Sequence, residues 1–110
     1  MWALPIGNDR PTLALKVDGQ WFHGTLDSGV EVSCFPSLYE NYWYLVDGPP
    51  IQGATGAAAS KQVHDTLTWE DEEGHSGTFR PLFLPMLPTV VWGRDVLSQA
   101  GASITTAPPQ

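Results

Sequence analysis

Only one short stretch of this chain, Arg94 to Ala100, carries the apolar spacing of a helix. Elsewhere apolar residues either alternate with polar ones or stand in brief runs between turn formers. Eleven glycines and ten prolines among 110 residues leave little room for long regular elements. The expected fold is all-β: short strands turned back on one another, with one helix near the C-terminal end. This length fits a single domain over residues 1–110, with 107–110 as a tail, and no repeat or boundary divides it.

Thr12 to Val17 alternates and reads as a strand. Asp18-Gly19 is a hairpin dipeptide that tolerates positive φ. Gln20 to Leu26 reads as the returning strand and delivers Asp27 at its end. Glu31 to Phe35 reads as a strand stopped by Pro36, and residues 37–50 read as irregular and aromatic. Residues 51–60 are small, with glycines at 53 and 56, and lie between strand-like runs, which favours a hairpin tip over a linker. Gln62 to Trp69 and Thr78 to Leu84 read as strands joined by the acidic turn Glu70 to Gly74. That turn reads as a solvated hairpin end, and its spacing does not match an EF-hand calcium loop. Thr89 to Trp92 is an apolar strand ending at Gly93, and Ser103 to Thr106 is a last strand after the helix stop at Gly101.

Composition excludes several classes. Hydrophobic residues are 42% and charged residues 15%, so the chain is not of the disordered type. A formal charge of −7 with five basic residues argues against nucleic acid or an anionic membrane as partner. No apolar run approaches the ~20 residues of a membrane span, and no basic-then-apolar start suggests a signal peptide. Cys34 is the only cysteine, so no internal disulfide is possible. No local motif joins it to His23, His64 or His75 as a nucleophile pair, and it reads as a small buried hydrophobe beside Phe35.

Asp27-Ser28-Gly29 is where chemistry enters. A lone carboxylate hydrolyses amides poorly. Two carboxylates sharing one proton do it well, because like charges about 3 Å apart cannot both ionise. The chain carries one Asp-Ser-Gly, so a catalyst of this type must take its second Asp27 from another copy. Gly29 allows close backbone approach to a substrate. A second element, Val90 to Leu97 with Gly93-Arg94-Asp95 inside it, follows ~65 residues later.

Taken in order, five stretches resemble a retroviral aspartic protease (retropepsin), in its betaretroviral form. They are Arg10-Pro11, Leu26-Asp27-Ser28-Gly29, the glycine-bearing segment 51–57, Leu67-Thr68-Trp69 with Ser76-Gly77, and Leu87-Pro88 followed by Trp92 to Leu97. Together they span roughly residues 2 to 106. The resemblance implies a small closed β-barrel-like retropepsin fold with one short C-terminal helix. It also implies a symmetric homodimer whose interface sheet is woven from Trp2 to Ile6 and Ala102 to Thr106, with Ile104 as the apolar anchor.

The same resemblance assigns roles. Asp27, Ser28 and Gly29 are the catalytic signature, with Ser28 gripping across the two-fold axis. Arg94 is implied to be buried and paired with Glu31, with the partner chain's Arg10 reaching the same carboxylate, and Asp95 is structural. The cleft is implied to be lined by Thr25, Val30, Val32, Cys34, Ile51, Gln52, Gly53, Ala54, Pro88, Thr89 and Val91, and Arg10 and Glu31 are implied to belong to the substrate-binding set with them. The implied substrate is an extended polypeptide cut at apolar sites, of the viral Gag or Gag-Pol type, in the virion or host-cell cytoplasm. No cofactor and no metal is implied. The family usually has Ala at Val30, Asp at Glu31 and a branched residue near Ala54. These departures support a runner-up, a catalytically weak dimerising module that binds extended peptides. The polar Thr105 and Thr106, with the net charge, suggest weak association at neutral pH.

Overall fold

The computed structural model describes residues 11–53 and 56–100. The expected Arg10, the flap-tip residues Ala54 and Thr55, and both terminal interface segments with Ile104 lie outside these residues. Strand β1 (Thr12–Val17) pairs antiparallel with β2 (Gln20–Leu26), residue for residue from Thr12↔Thr25 to Val17↔Gln20. Asp18 (φ 51°) and Gly19 (φ 83°) both take the left-handed region, which lets two residues close the hairpin.

The strand expected from Glu31 starts only at Cys34: β3 is Cys34–Pro36. The reason lies in the preceding backbone. Val30 and Glu31 carbonyls accept the amides of Arg94 and Asp95 at 2.8 and 3.1 Å, so they serve a helix start instead of a sheet. Pro36 sits inside the strand at its last position, opposite Leu84. Residues 37–50, read as irregular, contain a 3₁₀ turn Ser37–Tyr42 and strand β4 (Leu45–Asp47).

Strands β5 (Ile51–Gly53) and β6 (Gly56–Ala58) form a separate antiparallel hairpin, as the small residues suggested. The long strand expected over Gln62 to Trp69 is two, β7 (Lys61–Val63) and β8 (Leu67–Glu70). His64 breaks it, its amide donating to Tyr44 at 2.8 Å. The return run is likewise two, β9 (Ser76–Phe79) and β10 (Leu82–Leu84), parted at Pro81, which has no amide to donate. Strand β11 (Val90–Trp92) leads into helix α1 (Arg94–Ala100), the helix expected from the spacing.

One nine-stranded sheet runs in the order β4-β7-β10-β3-β11-β2-β1-β8-β9. Its strands β11 and β2 are parallel, as are β10 and β3, so the chain crosses between them. Trp69, Trp92, Phe35 and Phe83 form the bulk of the core, each at most 2% exposed. Phe35 lies edge-on to Phe22 and Trp92 at centroid distances of 5.1 and 5.9 Å. The Trp92 indole N–H donates to the Leu13 carbonyl at 2.8 Å, tying β11 to β1 across β2. No described helix is long and apolar enough to cross a membrane.

Candidate active site

The buried Leu26 ends β2, and the next amide, that of Asp27, donates to the Trp92 carbonyl at 3.0 Å. The chain then turns sharply, with the Val30 amide donating to the Asp27 carbonyl at 3.1 Å. Inside this turn the Gly29 amide donates to Asp27 Oδ1 at 3.0 Å. The carboxylate is thus aimed by its own loop and is half-buried, while Ser28 and Gly29 are exposed.

A cleft of about 480 Å³ opens beside Asp27. Val30, Glu31, Val32 and Cys34 line it from the loop and β3, and Val91 from β11. Pro49 and Ile51 line it from the base of the β5–β6 hairpin, and Leu82, Leu84 and Leu87 complete it. The lining is mainly aliphatic, with the two acidic residues Asp27 and Glu31 among it. Such a surface suits apolar side chains of an extended ligand.

Of the residues expected at this cleft, Val30, Glu31, Val32, Cys34, Ile51 and Val91 line it. Thr25 does not: it sits on β2, beyond β11 in the sheet order, beside Val91. Pro88 and Thr89 are exposed and outside the lining, and Leu87 points there instead. Gln52 and Gly53 belong to the hairpin strand β5. Pro49, Leu82, Leu84 and Leu87 were not anticipated. Leu82 and Leu84 carried a signal, since alternate residues of a strand share a face and Phe83 between them is core.

Arg94 Nη2 lies 3.3 Å from Glu31 Oε2, but neither group is buried. Their side chains are 54% and 81% exposed, against the buried Arg94 that the resemblance implied. Among the described residues the start of α1 is left open on this side, and an exposed pair of this kind is worth about 0–1 kcal/mol. The grip on the loop comes from Asp95. Its Oδ1 accepts the Ser33 hydroxyl at 2.7 Å, and its Oδ2 accepts the Ser33 amide at 3.0 Å. Ser33 is fully buried, and its hydroxyl oxygen also accepts the Gly93 amide at 2.9 Å. Sequence patterning missed Ser33, because a small polar residue between Val32 and Cys34 carries no periodic signal.

Burial pushes the Cys34 thiol up to about 11, and the nearby negative Asp95 adds to the rise. Its Sγ donates to the Val32 carbonyl at 3.3 Å. A thiol held this way is protonated at neutral pH and lines the cleft as a small apolar group. On a separate hairpin, between β8 and β9, Asp71 Oδ1 accepts the amides of Glu73 and His75, and Oδ2 meets His75 Nδ1 at 2.8 Å. That carboxylate organises a turn. Burial raises the Asp71 pKa, but the hydrogen bonds and charge of His75 outweigh it and hold the pKa below its ordinary value. The hydrogen bond to Asp71, then its charge, raises the His75 pKa.

Comparison with known proteins points one way. A family profile described as retroviral aspartyl protease matches residues 7–105. The Gag-Pro polyprotein of Sheep pulmonary adenomatosis virus is 33% identical over 113 residues, covering 98% of this chain and 13% of the polyprotein. The Gag-Pro polyprotein of Squirrel monkey retrovirus is 37% identical over 100 residues, covering 89% of this chain and 10% of the polyprotein. The chain therefore spans about a tenth of the length of these relatives. Among solved structures, the EIAV protease in complex with an inhibitor superposes with a TM-score of 0.77 at 22% identity, over 92% of this chain and 97% of that one. That likeness is one of fold.

Proposed function

The chain belongs to the retroviral aspartyl protease family, an aspartic endopeptidase of the retropepsin type, and on that footing we propose that two copies join to cut viral polyprotein at apolar sites. Each copy supplies one Asp27, and the two hold a single proton between them. One carboxylate takes a proton from water as it attacks the scissile carbonyl. The other donates the shared proton to the carbonyl oxygen. The proton taken from water then passes to the leaving amine as the C–N bond breaks, and the diol hydroxyl returns a proton to the pair as the new carboxyl forms. Ser28 grips its counterpart across the axis, and the Arg94–Glu31 pair, exposed among the described residues, is covered by the partner chain. The β5–β6 hairpin closes over an extended substrate and adds it as a strand. The setting is the virion or host-cell cytoplasm, within a viral polyprotein like those of the relatives.

The observation that carries this reading is the half-buried Asp27, its carboxylate held by the Gly29 amide and lining a mainly aliphatic cleft. The test is incubation of the purified protein with a long apolar peptide at about pH 5, with and without pepstatin. Cleavage that pepstatin stops, and that falls by at least about 10²–10⁴-fold in a folded Asp27→Asn variant, is expected. Peptide binding without cleavage by the unaltered protein would instead favour the weak binding module.

A further inference from the structure

The loop bearing Asp27 is held to the start of α1 by a ladder of hydrogen bonds, and its most buried rung is a side chain. The Asp27 amide meets the Trp92 carbonyl, and the Val30 and Glu31 carbonyls receive the Arg94 and Asp95 amides. Ser33 closes the loop at its far end. Its hydroxyl donates to Asp95 at 2.7 Å and accepts from the Gly93 amide at 2.9 Å, and its own amide runs to both Asp95 oxygens at 3.1 and 3.0 Å. The Ser33 residue is fully buried, its bond to the Gly93 amide is buried, and its bonds to Asp95 are partly so. Gly93 permits the approach: a Cβ there would sit 2.7 Å from the Val30 carbonyl oxygen and 3.1 Å from the Ser33 amide nitrogen.

We propose that Ser33 is a positioning residue for Asp27, its hydroxyl fixing where the 27–33 loop stands on Gly93 and Asp95 and thereby where the carboxylate lies in the cleft. The proposal rests on Asp27 being the hydrolytic group. Ser33 is buried and outside the cleft lining, so it acts on Asp27 through the loop to which both belong. A loop shift of a fraction of an ångström costs rate in the chemical step more than affinity. Methyl-bearing Thr retains the hydroxyl that Ala lacks.

The experiment measures kcat and KM on the full chain, per active site titrated with a tight inhibitor, so that unfolded or unpaired protein is not counted. Ser33→Ala is expected to lower kcat by about 10- to 100-fold while KM moves less than about threefold. Ser33→Thr is expected to recover most of that loss. A folded Ser33→Ala with unchanged kcat overturns the proposal, and so does a Ser33→Thr as impaired as Ser33→Ala. If Ser33→Ala does not fold, Asp95→Asn decides: it keeps the volume but turns a donor toward the Ser33 amide, and a folded variant with unchanged kcat overturns the proposal, whereas a fall in kcat at constant KM supports it. Failure of the unaltered protein to cut peptides, or full activity in Asp27→Asn, would sink the protease reading itself and this proposal with it.

Discussion

At the scale of single residues, position in the fold decides chemistry more than residue type does. Cys34 is a potential nucleophile by type, yet burial and the Asp95 charge raise its pKa from 9.0 to about 11. Below pH 9 its thiolate fraction is then lower by about 100-fold than that of an ordinary thiol. Alkylation by iodoacetamide at about pH 8 is therefore expected to be about 100-fold slower in the folded protein than in urea. Equal rates would remove the account of a closed thiol. Asp27 was legible because its tripeptide is short, local and set at a strand end. Ser33 was not, because its partners Gly93 and Asp95 lie 60 and 62 residues away. Neither its burial nor its bonds leave a mark on neighbouring positions.

At the scale of elements, two features carry predictions. Gly93 lies where β11 becomes α1, and its missing side chain leaves room for the Val30 carbonyl. Gly93→Ala must push the Asp27 loop away, and it is expected to lower stability by about 1–3 kcal/mol in urea unfolding. A neutral Gly93→Ala would mean that the loop relaxes freely. The β8–β9 turn gives a pH signature. The folded His75 pKa lies above its ordinary 6.5, so this contribution is complete below pH 6.5 and is lost as pH rises through the raised value. The folded Asp71 pKa lies below its ordinary 3.8, so its contribution is complete above pH 3.8 and is lost as pH falls through the lowered value. The clasp therefore holds fully between pH 3.8 and 6.5. Melting temperature is expected to decline from about pH 6 to pH 8, and His75→Gln is expected to flatten that decline. Parallel curves for both proteins would dismiss the clasp. Element lengths were the weakest part of the sequence reading. Both long strands that patterning predicts are broken, one at His64 by a bond to Tyr44 and one at Pro81.

At the scale of the whole molecule, charge and pairing meet. Each chain carries a formal −7, and two copies brought together repel at neutral pH. The dimerisation proposed above is expected to tighten by about tenfold from low salt to about 1 M salt, where the screening length falls to about 3 Å. It is also expected to tighten at about pH 5, where carboxylates begin to take up protons. Sedimentation equilibrium at neutral pH and low salt measures this directly, and a tight dimer there would contradict it.

The all-β class, the bounds of helix α1, the β1–β2 hairpin and the place of Asp27 at a strand end can all be read from the chain. These follow from local rules of side-chain alternation, turn dipeptides and helix spacing, which act over a few residues. That Leu82 and Leu84 share a cleft with Val30 and Val91, that Thr25 is set apart from it, and that Asp95 binds Ser33 are outcomes of long-range packing. Each of these depends on strand order, with β10, β3 and β11 lying side by side although up to 58 residues part them. Hydrogen bonds and apolar contacts across such separations are chosen by the packing of the whole core, and no stretch of sequence states that choice.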